Sequence, residues 1–311
     1  MQELNKKIKE LREFFNNSTI TKSIFYNDGS SHIVNAAFDI IDDTCIAINS
    51  YLSLSEEEYS KSSYLLTYGL FQCLFVQQDA VNDLHKKLLG EKINIETGQL
   101  KLIRESRNAA TGHPTGLSRD GIKKSIVISR ISLRKDGFKY DQRSEVKSGM
   151  HDVNTIDCIN AQEKELIKYL DNIMDDMKEK EQAHKSKFKD KLLVDLLDPL
   201  NEHPNHRISN VLDTPFGESI LNTHREVFDS VHTGIKERYG EDLIFAGIPR
   251  VVLTLEEVKQ GLDGLSEIIK NNKDNASEKY KRDAEVYGYY MENKFLELKE
   301  QLVGIDKKVE I

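Results

Sequence analysis

Proline is the residue that most limits how this chain can fold. It occurs at only five positions, 114, 199, 204, 215 and 249, and none precedes Pro114. A proline inside a helix removes a hydrogen bond and clashes with the preceding turn. Long proline-free runs with helical periodicity can therefore stay helical, and the prolines mark where helices stop. Between them the apolar residues recur at three- and four-residue spacing. The spacing predicts helices over 2–15, 32–52, 55–89, 97–111, 155–197, 217–239, 254–272 and 277–303. Ser55 with Glu58, and Thr254 with Glu257, have the form of capping boxes. Gly90 is placed to end the second long helix. Residues 16–31, 144–154 and 198–217 read as loops. LIFAGIPRVVL, before the penultimate helix, reads as a buried strand or an irregular core segment.

One stretch breaks the helical period. In KKSIVISRISL, 123–133, Val127, Ile131 and Leu133 alternate with Ile126, Ile128, Arg130 and Arg134. Asp136-Gly137 is a hairpin turn signal, with FKYDQR as the return strand. The expected fold is therefore mainly α, with one β-hairpin at about 122–143. The hairpin belongs to a first domain, 1–150, and a helical region, 151–311, follows. In the last helix Tyr280, Ala284, Tyr287, Met291, Phe295, Leu298 and Leu302 line a seam, either ordinary core or a surface for a partner.

The bulk chemistry narrows the function classes. Cys45, Cys73 and Cys158 are odd in number and far apart, which suits neither a disulfide framework nor a zinc knuckle. The N-terminal segment is a charged amphipathic helix and no run approaches a membrane span, so a cytoplasmic protein is expected, with no membrane association. Net charge is −8, yet residues 101–147 hold twelve Lys/Arg against five Asp/Glu. Such a segment either focuses a polyanion or is a solvated hairpin neutralised by the acidic remainder. His203 and His206 lie close in a proline-rich loop but lack a third metal ligand. His224 and His232 are eight apart on a helix and read as solvated surface. No phosphate-binding glycine loop and no nucleophile elbow occurs. No metal or cofactor is expected.

The informative stretch is Leu100-Lys-Leu-Ile-Arg-Glu-Ser-Arg-Asn-Ala-Ala-Thr-Gly-His-Pro114. On a helix Leu100, Ile103, Arg107 and Ala110 share a face. Arg107 is thereby placed on the apolar stripe, where a guanidinium needs partners. Arg104, Asn108 and Thr111 form the next stripe. His113 follows Gly112 where the helix should end. Gln77 lies on the apolar stripe of the preceding helix with Asp79 nearby, so these two are candidates to hold Arg107 or His113. An Asp79–Arg107 pair that serves only the fold is the plainer reading of Asp79.

Arg107-Asn108-x4-His113, preceded by FVQQDAV at 75–81 and ending in Gly-His-Pro, resembles the Arg-x(4–6)-His motif of the HEPN superfamily over roughly residues 32–120. The resemblance implies a helical bundle, commonly dimeric, that cleaves RNA without a metal and serves as a toxin or in anti-phage defence. Arg107 and His113 would be catalytic, with Asn108 assisting. Arg104, Lys123, Lys124, Arg130 and Arg134 would hold the RNA backbone. An antitoxin or regulatory protein would restrain the activity. The alternative is a non-catalytic interaction or scaffold protein in which Arg107 and His113 are structural.

Overall fold

The fold is that of a computed structural model describing residues 1–18, 20–22, 31–112, 115–119, 122–144, 148–201, 208, 211, 216–241, 248–271 and 278–308. For 110, 112, 115–119, 122–124, 201 and 278–281 only the backbone is described. The described chain is mainly helical with one small antiparallel sheet. It clusters into two compact units, one of 1–17 and 29–177, the other of 18–28 and 178–311. The division differs from a cut at 150. The last strand and most of the following helix stay with the first unit, because that strand pairs with its sheet and that helix shares its buried polar core.

In the first unit α1 (Gln2–Asn17) buries Leu4, Ile8, Leu11 and Phe15, the repeat of one helical face. It packs on α2 (Ser31–Ser53). Phe15 meets Phe38 edge to face at 5.9 Å. The predicted single helix from Ser55 is two. Ser55 does cap α3 (Glu56–Ser60) through a complete capping box, but the helix breaks before α4 (Ser63–Leu89). Gly90 ends α4 in the left-handed conformation, its N–H on the Lys86 carbonyl. α5 is Gly98–Arg107, and at Asn108–Gly112 it becomes a π-helical turn.

The hairpin is the middle of a four-stranded antiparallel sheet in the order β1-β2-β3-β4. β1 is Thr115–Arg119, β2 Ile122–Ile128, β3 Gly137–Ser144 and β4 Ser148–Asn154. β4 occupies part of the expected loop at 144–154. Its MHD segment lacks apolar alternation, since only Val153 is buried on that strand. Ile126, Ile128, Phe138 and Val153 form the buried face, and Phe138 meets Phe71 of α4. β2 ends sooner than expected, in a 3₁₀ turn at Arg130–Ser132, and Ile131 is 99% exposed. The turn residues are Lys135 and Asp136, since Arg134 and Gly137 exchange both backbone hydrogen bonds. Gly137 is needed for another reason: a Cβ there would stand 2.5 Å from the Val153 carbonyl oxygen.

α6 (Thr155–Phe188) stops short of 197, and the chain continues through a 3₁₀ turn at Val194–Leu197 into α7 (Asp198–Asn201). The second unit is built on α8 (Gly217–Tyr239), α9 (Pro249–Asn271) and α10 (Glu278–Asp306). Pro249 opens α9, at the first helical position, whose N–H would have no intrahelical acceptor. The segment expected as strand or irregular core thus supplies that helix's first turn, while 242–247 lie outside the described residues. Thr254 is interior to α9, its hydroxyl donating to the Arg250 carbonyl, and is no cap. The seam on α10 is core at Ala284, Met291, Leu298 and Leu302, whereas Tyr287 is exposed and the Tyr280 side chain is not described. Among the described residues no helix is long and apolar enough to cross a membrane.

Candidate functional site

α5 runs antiparallel to α4, as its side chains show. Arg104 meets Gln78 and Asp79, and Arg107, one turn later, meets Gln72. Leu100 and Ile103 anchor the helix in the core. That anchoring sets both arginines along the edge of α4, with Phe75 between them. The two guanidinium carbons lie 4.3 and 4.6 Å from the Phe75 ring centroid, within cation–π range.

The two arginines are held differently. Arg104 Nε donates to Gln78 Oε1 at 2.8 Å, and its Nη2 donates to the Asp79 carboxylate. Its charge is neutralised and its side chain is only 16% exposed. Arg107 Nη2 donates to Gln72 Oε1 at 3.0 Å and Nη1 to Asn108 Oδ1 at 3.0 Å. Both acceptors are neutral amides. Among the described residues no carboxylate lies within ion-pair distance of Arg107, so its positive charge has no counterion there. Adjacent residues on a helix do not normally face one another. Here the guanidinium reaches Asn108 at the point where the helix widens into its π turn. π turns are uncommon insertions that often mark functional positions. Thr111 Oγ1 donates to the Arg107 carbonyl, and Ala109 is buried beneath.

Other expected site residues fall elsewhere. Asp79 binds Arg104 and not Arg107. Gln77 is fully buried and engaged in the core: it donates to Thr44 Oγ1 at 3.1 Å and accepts from Gln162 Nε2 at 2.9 Å. Neither residue orients Arg107. Gln162 Oε1 accepts from Gln78, whose own oxygen receives Arg104, so a chain of amides links the deep core to the α4 edge. His113 lies outside the described residues, as do His203 and His206. His224 is buried, not surface, its Nδ1 2.8 Å from the Ile220 carbonyl oxygen.

The hairpin cations separate into two groups. Lys123 and Lys124 are at the start of β2, which packs against the π turn, and their side chains are not described. Arg130 and Arg134 lie beyond the other end of that strand. Arg134 Nε donates to Asp136 at 3.2 Å. Beside it Lys135 Nζ donates to the Leu52 carbonyl at 2.8 Å, and its own carbonyl accepts from Tyr51. Only Ser125–Ile128 of the strand, about 13 Å at the usual rise, and Ser129 stand between Lys124 and Arg130.

Sequence reasoning missed Gln72 and Phe75 as the partners of Arg107. Their signal was present, since both fall on one edge of α4 at helical spacing, but nothing local says which neighbouring helix that edge meets.

All three thiols are held toward their protonated form. Burial pushes Cys45 up to about 12 and Cys158 up to about 11, and Cys73 is also raised by burial. Burial first, and then the nearby Glu105 charge, raise Tyr140, which stacks on His151 with ring centroids 4.9 Å apart. Among the described residues no group of three His, Cys, Asp or Glu side chains is arranged to hold a metal ion. No family model matches this chain, and no curated protein or solved structure matches it either.

Proposed function

We propose that this protein is a metal-independent endoribonuclease of the HEPN type, acting as a toxin or in anti-phage defence. The observation that carries the reading is Arg107: a guanidinium at the α4–α5 edge, oriented by two neutral amide oxygens and without a carboxylate among the described residues. A phosphodiester is the anion such a fork fits, through paired N–H donors. Arg104, neutralised by Asp79, supports the site from behind and no longer counts among the groups that hold RNA.

In the proposed reaction a base removes the proton from a ribose 2′-hydroxyl. The 2′-oxygen attacks the adjacent phosphorus, and the 5′-oxygen leaves with a proton from an acid. The products are a 2′,3′-cyclic phosphate and a 5′-hydroxyl, so atoms balance without water or a redox partner. An imidazole can accept or donate a proton near neutral pH, so a histidine suits either transfer, and His113 is the one assigned here. Arg107 stabilises the charge that develops on the phosphoryl oxygens. Asn108 holds the Arg107 fork in register. Two copies about a two-fold axis would supply acid and base together. Lys123 and Lys124 pair with Ser118 and Leu117, toward the β1–β2 turn, while Thr115, which follows the π turn, pairs with Ser125; like Arg130 and Arg134, they hold the RNA backbone only where the strand continues over the sheet. An antitoxin or regulatory protein would hold the activity in check.

The test is incubation of mixed cellular RNA with purified protein in EDTA. Wild type should cut it to fragments ending in cyclic phosphate, while Arg107→Ala and His113→Ala, both checked for folding, should not. Absence of cutting by wild type across a range of concentrations, or cutting retained in both variants, would sink the reading. The second reading, a non-catalytic interaction protein, has its support in the second unit. There Val286, Tyr289 and Leu296 of α10 are 57 to 71% exposed, an apolar face of the kind partners cover.

A further inference from the structure

The edge of α4 that carries Gln72 and Phe75 continues toward the helix N-terminus, and there it is aromatic. Residues three, four and seven apart share a helix face, so Tyr64, Tyr68, Gln72 and Phe75 follow one another along it. Tyr64 and Tyr68 are 36% and 39% exposed, with ring centroids 5.9 Å apart and planes 84° apart. α5 descends this edge: Arg104 lies level with Gln78 and Asp79, and Arg107 level with Gln72. The π turn that follows also packs on α4. Tyr68 stands four residues below Gln72, about 6 Å along the axis. The order along the edge is thus a neutralised arginine, an uncompensated arginine, then two open phenol rings.

We propose that Tyr68, braced edge-on by Tyr64, is a stacking platform for an unpaired base of single-stranded RNA whose neighbouring phosphate is held by Arg107. The inference rests on reading Arg107 as a phosphate-binding group and adds the class of substrate. A cation beside a solvated ring is the pairing that single-strand binders use: the cation tracks the backbone and the ring takes the face of any base. In a duplex those faces are covered by neighbouring pairs, so the platform selects unpaired segments. The site is fixed on a helix whose opposite face is core, from Leu70 to Leu88, so the ring is presented by a rigid element.

The test is binding by the full-length protein, followed by fluorescence anisotropy. The probes are a short labelled 2′-O-methyl oligoadenylate, which lacks the attacking hydroxyl, and an abasic strand of the same length. Tyr68→Ala should weaken the base-bearing strand about tenfold, the scale of one base–aromatic stack. It should leave the abasic strand unchanged, and Tyr68→Phe should bind like wild type. Arg107→Ala should weaken both strands. If Tyr68→Ala binds both probes as wild type does while Arg107→Ala weakens them, the platform is wrong and the arginine reading stands. If wild type binds neither probe, both fail. If sedimentation shows that Tyr68→Ala turns a dimer into monomers, the rings belong to a contact between two copies and the inference is overturned. Circular dichroism melts of Tyr68→Ala against Tyr68→Phe separate any of these from a folding defect.

Discussion

Two arginines, one in each unit, are opposite solutions to the same problem. Arg238 of α8 is 3% exposed and its Nη1 donates to Asp306 at 2.6 Å. The Asp306 carboxylate also accepts from the Leu193 and Val194 N–H groups, and Arg238 Nη2 donates to the Lys191 carbonyl. The pair ties α8, the end of α10 and the entry to the 3₁₀ turn together, with all charge cancelled internally. Arg107 sits at a helix edge with amide partners and no such cancellation. A buried charge must be matched within the fold, whereas an unmatched one at the surface is available to a ligand. Arg104 lies between the extremes: paired like Arg238, but to an Asp79 whose side chain is 45% exposed.

The largest expected effect is on the matched pair. Asp306→Ala strands a buried guanidinium and should cost about 3–5 kcal/mol in the urea unfolding of the second unit. A loss below that scale would mean that Arg238 finds solvent, and the contrast would weaken. Next, Arg104→Ala should cost about 1–2 kcal/mol, because Gln78 and half-exposed Asp79 lose their donor but solvent screens the ion pair. Arg107→Ala should change stability by less than about 1 kcal/mol, the range of an exposed cation–π contact, while weakening RNA binding. Arg107→Lys keeps the charge without the planar fork and should bind RNA between the two. Were Arg107→Ala to unfold the protein like Asp306→Ala, the two arginines would be the same kind of residue and the ribonuclease proposal would lose its main support.

The smallest effect is a pH dependence beside Arg238. His184 has its Nε2 2.6 Å from the Arg238 carbonyl oxygen, and its Nδ1 has no hydrogen-bond partner. Burial, followed by the positive charges of Arg238 and Lys187, lowers its pKa below the ordinary 6.5, while the Arg238 carbonyl and Glu181 pull it upward. A depressed folded pKa means the unfolded chain binds the proton more readily. The contribution is therefore fully present above pH 6.5 and is lost as pH falls through the lower folded value. Unfolding midpoints measured from neutral to mildly acid solution should fall in wild type and fall less in His184→Asn. Equal slopes would remove His184 from the account.

Helix placement was legible because periodicity and punctuation are local. The repeats in α1 and α2, the Ser55 capping box and the stop at Gly90 each depend on residues within a turn or two of one another. The motif's setting, with Leu100 and Ile103 on the buried face and Arg107 beside them, was readable for the same reason. The four-strand sheet was half legible: β2 and β3 carry alternation and a turn signal, while β4 is polar on its outer residues and owes its place to pairing with β3. What no local pattern could supply was the partner of each polar side chain. Gln77, Gln78 and Asp79 are consecutive, yet one turns to Gln162 and Thr44, one joins Gln162 to Arg104, and one meets Arg104 at the surface. Gln162 is more than eighty residues away on a charged helix that gives no sign of it. Residue type and spacing place a side chain on a face, but its hydrogen bonds depend on which helix packs there and at what height. For that reason Arg107 was recognisable as a candidate from its own neighbours, and its lack of a carboxylate emerged only when α5 lay against α4.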